Sequence, residues 1–171
     1  DFKNSNVASK KINNISIDNK SAYLSTEFGV VVLDLEKLEF KNTYSTGHNT
    51  LCTYLFKDKL YTGTTDGLFK CDTVKNMLDK NNWEKINDNV VDALCELDDK
   101  LYALIKSKGI YTINTDTYKI TNEVARNGEK YHTIYTTNDN EIIAPAKDKI
   151  TIINKDGKNT YTTSNCNHIS K

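Results

Sequence analysis

Apolar and polar residues alternate along this chain in short runs, and each run stops at a cluster of turn-forming residues. Ile15-Ser16-Ile17, Leu51-Cys52-Thr53-Tyr54-Leu55-Phe56 and Val91-Asp92-Ala93-Leu94-Cys95-Glu96-Leu97 carry the period of two that marks half-buried strands. Asp18-Asn19-Lys20, Lys57-Asp58-Lys59 and Asp98-Asp99-Lys100 follow them, and Asn138-Asp139-Asn140 holds the corresponding place further on. These residues tolerate turn dihedrals and bond locally to the backbone, so each predicts a hairpin. β-branched and aromatic residues then predict second strands over 22–26, 60–64, 101–105 and 142–146. Gly29, Gly67 and Gly109 come next, each leading into an apolar run over 30–35, 68–71 or 110–113, which predicts a tight turn and a third strand. More polar fourth strands are expected over 39–44, 83–86, 119–121 and 158–162, as suits an outer edge.

The runs form an internal repeat. Tyr23, Tyr61, Tyr102 and then Ile143 stand at separations of 38, 41 and 41 residues, and Lys149-Ile150 occupies the fourth unit's Gly-Leu position. A period of about 40 residues with several short strands per unit is the spacing of β-propeller blades. The expected fold is therefore all-β: a propeller segment of about four blades, each a four-stranded antiparallel sheet, as a piece of a larger ring. The blades fall at about 11–45, 50–87, 89–122 and 130–163, with 165–171 opening a further one. An insertion at 72–82 in the second unit predicts a helical turn, seated on its blade by Trp83 and Leu78.

Composition narrows the function classes. The 171 residues are 37% hydrophobic with ten tyrosines, enough to bury a core. Lys plus Arg equals Asp plus Glu at 23 each, so no net field draws the chain to nucleic acid or an anionic membrane. No run of 18 apolar residues predicts a membrane-spanning helix. Asp1 is not an initiator methionine, from which we expect either a removed leader or a start inside a longer protein.

Candidate chemistry is sparse. Cys52, Cys71, Cys95 and Cys166 lack CxxC spacing, which disfavours zinc and redox motifs and leaves buried thiols as the main reading with a disulfide as the minority one. His48, His132 and His168 are isolated in sequence and make no metal-ligand pair. Asp34, Asp66, Asp72, Asp116 and Asp156 lie near strand ends without a calcium-loop pattern, and turn formation accounts for them. Gly63-Thr64-Thr65-Asp66-Gly67 is a hairpin without the following helix that phosphate binding needs. Paired carboxylates converging across blades stay open as a glycosidase arrangement. Tyr44, Tyr54, Tyr111, Tyr118, Tyr131 and Tyr135 suit either blade core or sugar and protein contact. No catalytic, cofactor-binding or metal residue is assigned, no cofactor is expected, and the binding residues are unknown from sequence.

Three passages resemble one family: Lys11 to Ile17 leading into Ala22-Tyr23-Leu24-Ser25-Thr26-Glu27-Phe28-Gly29-Val30-Val31-Val32-Leu33-Asp34-Leu35, then Lys41-Asn42-Thr43-Tyr44, then Leu60-Tyr61-Thr62-Gly63-Thr64-Thr65-Asp66-Gly67-Leu68. They are similar to the N-terminal propeller of PorZ-like proteins of the Bacteroidetes type IX secretion system, which resemble the regulator propellers of hybrid two-component systems. The resemblance is strongest over 10–90. It implies an internal piece of the first of two propellers in a secreted protein, placed in the periplasm, at the outer-membrane surface or outside the cell. It further implies a noncatalytic scaffold whose partners are other proteins of a cell-surface secretion complex, with glycan or lipopolysaccharide recognised outside this segment, no nucleic acid and no membrane insertion. The alternative is a periplasmic propeller that senses a glycan; a polysaccharide-processing enzyme is a remote third. The 21 asparagines suit an AT-rich bacterial genome. Exposed strand edges at the first and last blades predict self-association.

Overall fold

The computed structural model describes residues 11–126 and 130–162. The chain forms two compact units that divide after Val91. Unit 1 holds β1 (Ile12–Asp18), β2 (Ser21–Thr26), β3 (Gly29–Asp34) and β4 (Glu39–Tyr44), then β5 (Thr50–Phe56), β6 (Lys59–Thr64), β7 (Gly67–Asp72) and β8 (Glu84–Asn87). Leading into unit 2 is β9 (Val91–Leu97), followed by β10 (Lys100–Ile105), β11 (Gly109–Ile113) and β12 (Ile120–Arg126), then β13 (Tyr135–Thr136), β14 (Ile142–Pro145), β15 (Lys149–Asn154) and β16 (Gly157–Thr162). Strand order follows chain order in four antiparallel four-stranded sheets, called blades 1 to 4 below. The all-β segment of four-stranded blades expected from the repeat is the fold observed.

Each turn has a local cause. The β5–β6 turn places Lys57 and Asp58 at φ +46° and +57°, and the β9–β10 turn places Asp98 and Asp99 at +48° and +58°. Two consecutive positive φ values match the right-handed twist of the flanking strands. At the β2–β3 turn, Gly29 has φ +140° and a Cβ there would stand 2.1 Å from the Tyr44 carbonyl oxygen; Gly67 repeats this at +132° and 2.3 Å from Asn87 O. Glycine is thus required by conformation and by the approach of the fourth strand's backbone. Thr26 and Thr64 lock the same turns: their hydroxyls donate to Gly29 O at 2.9 Å and Gly67 O at 3.0 Å. In blade 4 Ala146 N–H donates to Lys149 O at 2.8 Å across the turn, and Lys149, where glycine is expected, does not take a positive φ.

The cores are layers between neighbouring sheets. In unit 1, Val30, Val32 and Tyr44 of blade 1 meet Leu60, Phe69, Cys71 and Trp83 of blade 2. In unit 2, Leu104, Ile110 and Tyr102 of blade 3 meet Ile142, Ala144 and Ile153 of blade 4. Val30, Leu60, Ile110 and Ile142 are wholly buried, each side chain contributing about 1.5–3 kcal/mol relative to exposure.

The insertion after β7 contains one turn of 3-10 helix, Lys80–Asn82, capped by Asp79, whose carboxylate accepts from Asn81 N–H at 2.9 Å. Trp83 seats it, but not with Leu78. The Trp83 indole N–H donates to Met77 O at 2.9 Å and Met77 packs on the core, whereas Leu78 is 60% exposed. Indole bonding to a carbonyl fixes the backbone at Met77, and the next side chain is thereby turned to solvent. Residues 165–171, expected to open a further blade, lie outside the described residues, and Cys166 and His168 with them.

Candidate functional site

Charged groups gather where the blade 1–blade 2 connection meets the β6–β7 turn. His48 sits in that connection, held by Thr46, whose hydroxyl donates to His48 O at 3.1 Å. The imidazole lies 5.0 Å from the Phe69 ring, and its Nε2 is 3.8 Å from Asp66 Oδ2. Lys85 of β8 stands 3.2 Å from the same Asp66 oxygen and 2.9 Å from Asp88. Asp88 first, then Asp66, hold the Lys85 ammonium above its usual range. Every charge here is answered by another, so the cluster pins a connection, a turn and a strand end together. Pairs this exposed contribute little to stability.

Elsewhere in unit 1 the pattern repeats. Lys70, buried in β7, is 2.9 Å from Glu84 of β8. Asp34 accepts from the Glu36 and Lys37 N–H groups and pairs with Lys41 at 2.9 Å. Asp116 and Asp156 are not the acceptors at their turns: their N–H groups donate to Asn114 and Asn154, each at 3.0 Å. The side-chain acceptor at the end of the third strand is thus Asp34, Asn114 or Asn154, an Asx turn that a search for carboxylates alone passes over.

Two recesses lie among the described residues of unit 2. The first, about 320 Å³, is lined on blade 3 by Lys100, Tyr102, Asn114, Thr121 and Val124. Burial first, then Asp98 and Cys95, push the Tyr102 hydroxyl up. The second, about 280 Å³, is formed by Asp139, Glu141, Asn154 and Asp156 at the hairpin end of blade 4, where Asn154 donates to Glu141 at 3.0 Å. Asp92 is a carboxyl raised by burial, opposed by Lys106, and it lines neither recess.

Among the described residues no group of three His, Cys, Asp or Glu side chains is placed to hold a metal ion, and no helix is long and apolar enough to cross a membrane. Cys52, Cys71 and Cys95 are buried, while Cys166 lies outside the described residues. His132 is exposed on the approach to β13. Of the six tyrosines singled out for ligand contact, Tyr44 and Tyr131 are buried in the blade cores and Tyr54, Tyr111, Tyr118 and Tyr135 are half-buried. Tyr161, which the sequence did not single out, is 54% exposed.

This architecture defines a β-propeller segment. Residues 2–84, a little under half of the chain, match the model of the N-terminal β-propeller domain of PorZ of the type IX secretion system. Among solved structures it is similar to PorZ of Porphyromonas gingivalis, described as an essential bacterial surface component of that system, at TM-score 0.78 and 20% identity over 94% of this chain and 22% of that one. It is also similar to the extracellular domain of the putative one-component system BT4673 from B. thetaiotaomicron, at TM-score 0.71 and 18% identity over 92% and 25% of the two chains. A more distant likeness, at TM-score 0.58 and 13% identity over 86% and 54%, is to virginiamycin B lyase from Staphylococcus aureus. At these identities the structural likeness shows the fold. The chain spans between a fifth and about a half of the length of these proteins. Curated proteins give no match.

Proposed function

We propose that the chain is a noncatalytic β-propeller interaction scaffold of a secreted or cell-surface bacterial protein, acting in type IX secretion as PorZ-like proteins do. The observation that carries this reading is the match of residues 2–84 to the PorZ propeller model. The paired state of Asp66, Lys85 and Lys70 supports it, because catalysis needs an acid, base or nucleophile that is not already committed to a turn or ion pair. Its partners are other proteins of the secretion complex, and its compartment is the periplasm, the outer-membrane surface or the medium. Deleting the gene in its host should strip secreted cargo from the cell surface, measured by surface proteomics. Unchanged surface cargo would overturn the scaffold reading.

A second reading, a propeller that senses a glycan, is favoured by the blade 3 recess, which Lys100 and Tyr102 line together. Calorimetric titration of the purified chain with oligosaccharides separates the two. Binding that Lys100→Ala abolishes favours the sensor, and turnover of any glycan rules out both noncatalytic readings.

A further inference from the structure

Blade 3 lacks bulk that blade 1 has at the same places. Counted from the glycine turns, the pair Tyr102–Thr112 of β10 and β11 corresponds to Tyr23–Val32 of β2 and β3. Ala125, across from Ile110, corresponds to Tyr44, across from Val30. In unit 1, Tyr23, Val32 and Tyr44 share one cluster with Trp83 and Met77, and the Tyr44 and Trp83 rings lie 6.4 Å apart. Met77 belongs to the insertion after β7, and Trp83 ends it.

Unit 2 has neither the second ring nor that cover. Ala125 and Thr112 stand where blade 1 has Tyr44 and Val32. Blade 4 joins β15 to β16 through Lys155 and Asp156 alone. Trp83 precedes Glu84, the partner of Lys70; in blade 4 it is Lys158 that precedes Asn159, the partner of Ile152, and Lys158 is exposed. The blade 3 recess of about 320 Å³ lies at this place, with buried Tyr102 and Thr112 as its floor. Half-buried Val124 and exposed Lys100, Asn114 and Thr121 form its rim. Ligand sites span roughly 300–1,000 Å³, so this one has room for a single ring.

The charges differ between blades as well. Blade 1 pairs Asp34 with Lys41 at 2.9 Å, and blade 2 pairs Lys70 with Glu84 at 2.9 Å. Blade 3 carries Asn114 for Asp34 and Thr121 for Lys41. Both are engaged within the blade: Asn114 Oδ1 accepts from the Asp116 and Thr117 N–H groups, and the Thr121 hydroxyl is 2.9 Å from that of Thr112. Lys100 is the cation of this rim and makes no ion pair among the described residues. Asp98, whose charge also reaches Tyr102, accepts from the Asn140 amide at 2.6 Å.

We propose, resting on the scaffold reading, that the blade 3 recess is a docking slot for one aromatic side chain of a partner protein, presented beside an acidic residue. The ring takes the place that Trp83 fills in unit 1, and the carboxylate meets Lys100. A glycan in the same recess would belong to the second reading instead.

NMR titration of the whole ¹⁵N-labelled chain tests this with a blocked peptide of glutamate, tryptophan and glutamate, taken to about 10 mM because one buried ring supports a Kd on the order of 1 mM. Amide shifts should saturate and centre on β10, β11 and β12. A peptide with alanine for tryptophan should bind at least about tenfold more weakly, as loss of an aromatic anchor does. Lys100→Glu should weaken binding by up to about fivefold, the range of an exposed ion pair, and strengthen binding of the lysine-flanked peptide. Thr121→Trp fills the slot from the chain's own rim and should abolish the shifts; Val124→Trp replaces it if amide dispersion shows that chain unfolded. Absence of saturating shifts over that range would overturn the slot. So would equal affinity for the alanine peptide, or oligosaccharides that shift the same amides when the peptide does not. A silent titration together with cargo lost on gene deletion would remove the slot and leave the scaffold standing, so the two fail separately.

Discussion

Asp34 ends the third strand of blade 1 and holds three partners at once. Its Oδ1 accepts from Lys37 N–H at 3.0 Å and Glu36 N–H at 2.9 Å, and its Oδ2 is 2.9 Å from the Lys41 ammonium. The Lys37 backbone bond first, then the Lys41 side chain, hold the carboxyl at about 2, against an ordinary 3.8. A lowered folded-state pKa means the unfolded chain binds the proton first as acid is added. The contribution of Asp34 is therefore complete above about pH 4 and is lost as pH falls through about 2. Urea midpoints measured across that window should decline more steeply for the wild type than for Asp34→Asn, which keeps a turn acceptor but has no charge to lose. Equal slopes would show that the carboxylate carries no acid sensitivity. Sequence pattern was enough to read Asp34 as a turn residue. It did not reveal that Asn114 and Asn154 perform the same task, because amide and carboxylate oxygens accept alike and a reading organised around titratable residues sees one of them.

At the level of the strand and hairpin, the period of two and the turn chemistry located nearly every element, since each blade meets its physical requirements locally. What escaped was set by partners distant in sequence. Met77 in place of Leu78 as the anchor of the insertion depends on where the Trp83 indole N–H points, and β13 is only Tyr135–Thr136, the chain ahead of it touching β14 through His132 N–H to Pro145 O at 2.9 Å. Two substitutions test this level. Asp58 is exposed and held at φ +57° in the β5–β6 turn, and Thr73 bonds its carbonyl, which glycine also supplies. Asp58→Gly should raise stability by about 0.5–1 kcal/mol, the strain of left-handed backbone less the added entropy of glycine. Thermal melts read it, and a lowered midpoint would show that the side chain outweighs the strain. Trp83→Phe keeps most of the apolar contact but removes the bond to Met77 O, at a cost of about 1 kcal/mol. Hydrogen exchange over 75–82 should then quicken while β6 and β7 keep their protection; unchanged exchange over the insertion would show that the indole bond does not seat it.

Across the whole molecule, repetition made the architecture legible and left the function obscure for the same reason: the recurring residues are those that build a blade, whereas any partner is recognised by what differs between blades. Repeats coupled chiefly to their neighbours have stability that is approximately local, and here each unit has its own core. Gly63 makes that testable. It pairs with Cys52 and Leu68 in the middle of blade 2, and a Cβ at that position would lie 2.3 Å from Val91 O and 2.6 Å from Cys52 Sγ. Backbone on one side and a buried thiol bonded to the same carbonyl at 3.4 Å on the other leave no flexible atom to yield. Gly63→Ala should therefore destabilise unit 1 by about 1–3 kcal/mol through overpacking. Trp83, the single tryptophan, lies in that unit and reports on it alone. Its fluorescence midpoint in urea should fall, while hydrogen exchange at β10, deep in unit 2, should keep its wild-type protection under native conditions. If protection at β10 falls by as much as the fluorescence midpoint implies, the two units unfold as one body and local stability is the wrong description of this chain.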